Sequence, residues 1–175
     1  MNTVETRVRR VTTLTDGDQQ SLAELLIDCV AGGASVSFMH PLSMQQALSF
    51  WRGVADGVAR GDRALLTADD PQGRVVGSVQ LVLGQPENQP HRADVAKMLV
   101  HRRARRQGLG AALMTSAEAV ARASGKTLLV LDTVTGGEAE RLYARLGWQR
   151  CGVIPGYALW PQGGLCDTTV FYKAL

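Results

Sequence analysis

The stretch that decides the fold is Val100-His-Arg-Arg-Ala-Arg-Arg-Gln-Gly-Leu-Gly110. A strand-like run, Asp94 to Val100, leads into it. A segment with helical spacing follows, with Leu109, Ala112, Leu113, Ser116, Ala117 and Val120 on one face. The predicted helix runs from Gly108 to Ser124, and glycines at 108 and 110 open it. Their missing side chains let a ligand approach the backbone closely. The first amides of a helix have no intrahelical acceptor and sit at the positive end of its dipole, an arrangement that binds phosphate. Arg102, Arg103, Arg105 and Arg106 add charge that calls for a polyanion. Arg105 and Arg106 lie beside the amides, and Arg102 or Arg103 could reach a further phosphate.

Other readings of the same stretch fit less well. Gly108-Leu109-Gly110 could begin a dinucleotide fingerprint with Asp132 as the ribose contact, but Leu113 holds the third glycine position. The turn after Val100 is also too long for that fold. Gly125-Lys126-Thr127 mimics the end of a P-loop, yet Val120 stands at its first glycine and a strand follows. A nucleic-acid-binding surface would need a recognisable module and interleaved aromatics, and the chain has neither. A glycine-rich helix start with no ligand is the plain structural alternative.

Outward from the loop, the chain reads as alternating elements. Arg7 to Thr13 reads as a first strand and Asp18 to Val30 as a helix ended by Gly32-Gly33. Ser43 and Gln46 resemble a capping box for a second helix to about Arg60. Ala64–Ala68 and Arg74–Leu83 form a hairpin about the turn Asp70-Pro71-Gln72-Gly73. Leu128–Val134 is a short apolar strand, Glu138–Leu146 a short helix, and Arg150–Tyr157 and Thr168–Lys173 two closing strands. The order is β, α, α, β, β, β, α, β, α, β, β. Asp94 to Val134 is then a right-handed β-α-β crossover with parallel strands. The expected fold is α/β: a mixed, mostly antiparallel sheet with a central parallel β-α-β unit and helices on both faces, in a single domain over residues 1–175.

Composition agrees. Hydrophobic residues make up 45% of the 175, enough for a buried core, and no apolar run approaches the roughly 18 residues that span a bilayer. The N-terminus is polar, so a cytoplasmic protein without membrane or nucleic-acid partners is expected. Cys29, Cys151 and Cys166 lack metal-site or disulfide spacing and read as buried free thiols, so no metal is expected.

The pattern Arg105-x-x-Gly108-x-Gly110 resembles the Gln/Arg-x-x-Gly-x-Gly/Ala motif of the GCN5-related N-acetyltransferases (GNAT family). Asp94-Val-Ala-Lys-Met-Leu-Val100 resembles the strand before that loop. Ala139-Glu-Arg-Leu-Tyr143-Ala-Arg-Leu-Gly147-Trp148 resembles the family's later helix. One position departs: the family often has Asn where Gly136 stands. The resemblance implies acetyl-CoA as acetyl donor, with its pyrophosphate on Arg105, Arg106, Gln107, Gly108, Leu109, Gly110 and Ala111. It implies that its pantetheine arm pairs with the backbone of Met98, Leu99 and Val100, with the Leu99 amide facing the carbonyl oxygen. Tyr143 resembles the family's proton donor to the leaving sulfur.

Deprotonation of the amine needs a base. Asp94 and Asp132 are candidates because they sit on predicted neighbouring strands and could both face the acceptor. His91 and His101 stand behind them. Gly32–Met39, Met44–Ala47, Leu131–Thr133 and Pro155–Tyr157 further resemble a branch of the family that acetylates a β-lactam-containing amino-acid toxin. That implies a small-molecule amine as partner and a role in toxin or antibiotic resistance. Ser35, Phe38, Tyr157 and Trp160 are then the candidate acceptor residues. A protein or peptide N-terminal acetyltransferase and a non-catalytic acetyl-CoA-binding module are the competing classes. Oligomeric state is left open.

Overall fold

The computed structural model describes residues 7–175. Residues 1–6, the start of the polar N-terminal segment, lie outside them. The elements are β1 (Arg7–Val11), α1 (Asp16–Ala31), α2 (Met44–Ala59), β2 (Arg63–Asp69), β3 (Val75–Val82), β4 (Arg92–Val100), α3 (Leu109–Ala123), β5 (Leu128–Val134), α4 (Glu138–Arg145), β6 (Gln149–Leu159) and β7 (Leu165–Ala174). The order is the one the sequence predicts, and the last hairpin runs longer than expected.

Local chemistry explains the boundaries. The Ser43 hydroxyl accepts from the Gln46 amide at 3.2 Å, and the Gln46 side chain accepts from the Ser43 amide at 3.1 Å, closing a capping box on α2. Thr15 and Asp18 do the same for α1. The β2–β3 turn closes as predicted, with the Gly73 amide donating to the Asp70 carbonyl at 2.8 Å.

The seven strands form one sheet in the order β1-β2-β3-β4-β5-β7-β6. The β4–β5 pair is parallel and the others antiparallel. Alternation along the strands feeds two cores. On one face, Leu22, Leu25, Leu26 and Trp51 of α1 and α2 pack on Leu65, Val75 and Leu99. On the other, Leu113, Met114 and Ala117 of α3 and Tyr143 of α4 pack with Leu66, Leu129, Leu131, Trp148 and Phe171.

Two irregularities matter for function. First, β4 and β5 pair only from Arg92–Asp94 to Leu128–Val130, and beyond that the strands part. Second, β4 carries a bulge. Ser78 faces Leu99 and Gln80 faces Ala96, so Lys97 and Met98 share one position on β3. Lys97 takes a left-handed φ of +50° there. The bulge resets the alternation: Ala93 and Val95 pack in the α3-side core, as do Met98 and Val100 after it, while Leu99 turns to the α1–α2 side.

Among the described residues, no helix is long and apolar enough to cross a membrane, and no group of His, Cys, Asp and Glu is placed to hold a metal ion. The three cysteines are free. Cys29 and Cys166 are buried, but Cys151 is exposed on β6, so the expectation of three buried thiols fails there.

Candidate active site

Between the parted strands lies a cavity of about 1080 Å³. Residues 95–100 of β4 and 131–134 of β5 form its two strand walls. The α1–α2 loop, the start of α3, α4 and the end of β6 complete it.

At one end stands the glycine-led helix. Gly108 is the N-cap of α3 with φ +77°, a left-handed conformation, and no side chain caps the amides that follow. A β-carbon on Gly108 would meet nothing within 4 Å, whereas one on Gly110 would come 2.9 Å from Leu142 Cδ2. Gly108 therefore serves the turn and leaves the amides open, while Gly110 leaves room for the Leu142 side chain of α4. Open amides, a helix dipole and nearby guanidinium groups fit a pyrophosphate. Arg105, Arg106, Leu109 and Ala111 line this end, and Arg105 Nε donates to the Val100 carbonyl at 3.2 Å.

Other parts of the arginine cluster go elsewhere. Arg102 pairs with Asp28 of α1 at 2.9 Å through its side chain and again through its amide. Arg103 lies 3.4 Å from Asp70 at the β2–β3 turn. Neither lines the large cavity; each ties the loop to a neighbouring element. Gln107 also lines a separate depression of about 290 Å³, beside Arg103 and Asp70. Burial pushes the Asp28 carboxyl up, but hydrogen bonds from Arg102 and the charges of His101 and Arg102 bring it below the usual carboxylate range.

Met98, Leu99 and Val100 line the cavity on the part of β4 that has no β5 partner. Tyr143 reaches it from α4 and is only 4% exposed. Burial, and secondarily the charge of Asp132, push its hydroxyl pKa well above the ordinary value. Asp132 is exposed and lines the cavity from β5; the Thr168 hydroxyl is 3.5 Å from its carboxylate.

Asp94 does not join them. It belongs to the last paired position before the strands part. Its carboxylate accepts from Arg92 Nη1 at 2.5 Å and Gln85 Nε2 at 3.0 Å, away from the cavity walls. The expectation that both carboxylates face the acceptor fails because the splay starts immediately beyond Asp94. Neither histidine lines the cavity. The His91 carbonyl receives the Thr127 amide at 2.8 Å, and His101 Nδ1 sits 3.4 Å from Asp28. Burial pushes the His101 pKa down, and neighbouring arginines add to that, against the pull of Asp28.

Ser35, Phe38, Tyr157 and Trp160 do converge on the cavity. The Ser35 hydroxyl donates to the Leu159 carbonyl at 2.8 Å, which ties the α1–α2 loop to the end of β6. Phe38 packs edge-on against Phe50, with ring centroids 5.3 Å apart. Tyr157 and Trp160 are exposed, at 56% and 39%.

Several lining residues escaped the sequence reading. Lys97 projects into the cavity, and its Nζ donates to Ser37 Oγ at 3.0 Å. Among the described residues, the only non-glycine positions with positive φ are Ser37, Lys97 and Arg106, and all three line this cavity. Cys29 lines it too, but burial pushes its thiol up to about 11, which leaves it a poor nucleophile.

The profile of the acetyltransferase (GNAT) family matches residues 21–148. An uncharacterised N-acetyltransferase from the hisH–hisA intergenic region of Azospirillum brasilense is 32% identical over 127 residues, which cover 71% of this chain and 73% of that protein. The chain belongs to the GNAT acetyltransferase family. It is thus an acetyl-CoA-dependent N-acetyltransferase, an acyltransferase that acts on an amine. Among solved structures, a ribosomal-protein-alanine N-acetyltransferase from Brucella melitensis is similar in fold, with a TM-score of 0.80, 20% identity and coverage of 97% of this chain and 99% of that one. A phosphinothricin acetyltransferase from Sinorhizobium meliloti, solved with acetyl-CoA, has a TM-score of 0.78, 17% identity and coverage of 97% and 88%. The same fold is thus shared by proteins whose names give a protein acceptor and a small-molecule acceptor.

Proposed function

We propose that this chain, acting as one domain, transfers the acetyl group of acetyl-CoA to the amine of a small, amino-acid-like molecule. The observation that carries the reading is the cavity opened by the parting of β4 and β5. It has an uncapped, glycine-led helix start at one end, and both Tyr143 and Asp132 line it.

The donor brings an activated thioester. The amides of Gln107 to Ala111, with Arg105 and Arg106, hold its pyrophosphate. The unpaired stretch Met98–Val100 offers backbone groups to the pantetheine arm, and the Leu99 amide meets the negative charge that develops on the carbonyl oxygen. Asp132, directly or through a water, takes the proton that the ammonium must lose. Tyr143, kept protonated by burial and by the neighbouring carboxylate, gives a proton to the leaving sulfur.

The acceptor class rests on chemistry at the other end. Asp132 attracts an ammonium, and Tyr157 and Trp160 supply aromatic faces that favour a cation. The segments Gly32–Met39 and Pro155–Tyr157, which border the cavity, resemble those of the tabtoxin-resistance acetyltransferase, so a β-lactam amino acid is the specific substrate proposed. A thiol-release assay with acetyl-CoA against small amino-acid amines, β-lactam amino acids and peptides tests it. Clear preference for peptides would overturn the acceptor class and leave the acetyltransferase chemistry standing.

A further inference from the structure

The small-amine reading uses Asp132 but gives no task to Lys97, one of several charged residues that line the cavity. Lys97 sits at the bulge of β4, with its φ at +50°. For a side chain other than glycine or asparagine that conformation is strained, and such strain gathers at ligand sites. Its partner Ser37, on the α1–α2 loop, is likewise left-handed, at φ +79°. The two strained residues meet through the 3.0 Å bond from Lys97 Nζ to Ser37 Oγ. The ammonium also lies 5.7 Å from the centre of the Phe50 ring. Among the described residues it enters no ion pair, and its hydrogen-bond partner is a neutral hydroxyl.

The bulge also sets the direction of the side chain. Leu99, after the bulge, faces the α1–α2 core, and Lys97 reaches Ser37 and Phe50 on that same side. On β5, Leu129 and Leu131 face the α3-side core, so Asp132 points the other way. Lys97 and Asp132 therefore stand on neighbouring strands, past the last paired position, on the α1–α2 side of the sheet. One is a cation and the other an anion. The guanidinium groups of Arg105 and Arg106 belong to the helix-start end of the cavity, so Lys97 is surplus to the pyrophosphate.

We propose that Lys97, with the Ser37 hydroxyl, is the carboxylate-binding end of the acceptor site. The acceptor is an amine that carries its own carboxylate, with its ammonium set against Asp132 and its carboxylate on Lys97. A charge-assisted bond from the ammonium to a carboxylate is stronger than its present bond to a neutral hydroxyl. Burial pushes the Lys97 pKa down and Arg63 adds to that, against the pull of Asp132, so a ligand carboxylate in direct contact would favour the charged form. A peptide N-terminus brings the amine but no adjacent carboxylate, so it would leave the lysine half-buried and without its anion. Lys97 thereby selects free amino acids over chain termini. This inference rests on the small-amine reading.

The test compares matched pairs in the thiol-release assay: lysine with cadaverine, ornithine with putrescine, and β-lactam amino acids with their decarboxylated forms. The wild type should favour the acid member by about tenfold or more in kcat/KM, chiefly through KM, as a lost charge contact in a partly buried site implies. Lys97→Gly suits a positive φ and removes the ammonium. It should bring the ratio near one through loss on the acid member, with affinity for CoA retained by calorimetry. Lys97→Arg, which keeps a cation, should restore much of the preference. A wild type indifferent to the carboxylate would sink the anchor and leave the small-amine reading intact. So would a preference that survives in Lys97→Gly, or a variant that loses CoA affinity instead. Acetylation of peptides but of neither member of any pair would overturn both.

Discussion

Asp94 and Val130 are the last residues that β4 and β5 hold opposite one another. Everything proposed for this enzyme follows from what happens one residue later. Past that pair the parallel strands part, and the backbone edge and the side chains they would have buried become cavity walls. An acid on the near side of the boundary is tied into the sheet; one on the far side, Asp132, is open to a ligand.

The helix start gives the first prediction. Gly108 has a left-handed φ of +77° and leaves open space above its α-carbon. Valine there would fill the space that a pyrophosphate must enter and would strain the turn. Gly108→Val should weaken CoA binding by about tenfold or more, equivalent to about 1.4 kcal/mol. Isothermal calorimetry measures this. Unchanged affinity would mean that the loop is only a helix start.

Gly110 carries a different prediction. A β-carbon there would stand 2.9 Å from Leu142 Cδ2, so the Leu142 side chain, on α4, would have to shift. Gly110→Ala should lower stability by about 1–3 kcal/mol, the usual cost of overpacking. The gain in helix propensity over glycine, about 1 kcal/mol, offsets part of it. A thermal melt without ligand decides. A raised Tm would show that Leu142 gives way freely.

How much of this was legible in the sequence follows from the physics of each signal. Element order was legible because amphipathic periods, capping pairs such as Ser43–Gln46 and turn residues such as Gly73 act locally. The glycine-led helix was legible for the same reason. Lys97 was not. Its direction depends on a two-for-one bulge against Val79, and nothing in Asp94–Val100 marks where the alternation breaks. Asp94 and Asp132 looked equivalent because a parallel pair can be read from sequence while the point where it ends cannot. Arg102 and Arg103 read as phosphate ligands because their partners, Asp28 and Asp70, lie 74 and 33 residues away in the chain.

The proton-donor role proposed for Tyr143 has a distinctive pH signature. Burial, then the charge of Asp132, raise the hydroxyl pKa in the folded chain above the unfolded value of about 10. Such a group lends stability below that pH and withdraws it as pH rises beyond. Tyr143→Phe should therefore make the Tm less sensitive to alkaline pH near 10 and above. It should also slow the chemical step by about 10² or more while CoA binding is kept. Product release can mask that loss in steady state, so single-turnover kinetics is the proper measurement. A chemical step at the wild-type rate would remove Tyr143 from the mechanism.

The two aspartates offer the sharpest comparison. Asp132 lines the cavity, and Asp94 is held by Arg92 at 2.5 Å and Gln85 at 3.0 Å outside it. Asp132→Asn should lower kcat/KM by about 10²-fold or more near neutral pH. If its task is to take the ammonium proton, part of the loss should return as pH rises toward the amine pKa, because free amine then supplies itself. Asp94→Asn keeps the size of the side chain and one acceptor oxygen, and removes only a partly exposed charge pair. Such a pair is worth about 0–1 kcal/mol, so stability should change little and kcat/KM by less than about fivefold. The measurement is a pH profile of kcat/KM for both variants, on the best amine from the panel. If Asp94→Asn shows the deep loss with alkaline rescue and Asp132→Asn does not, the base lies on the wrong side of the splay and the proposed acceptor geometry falls with it.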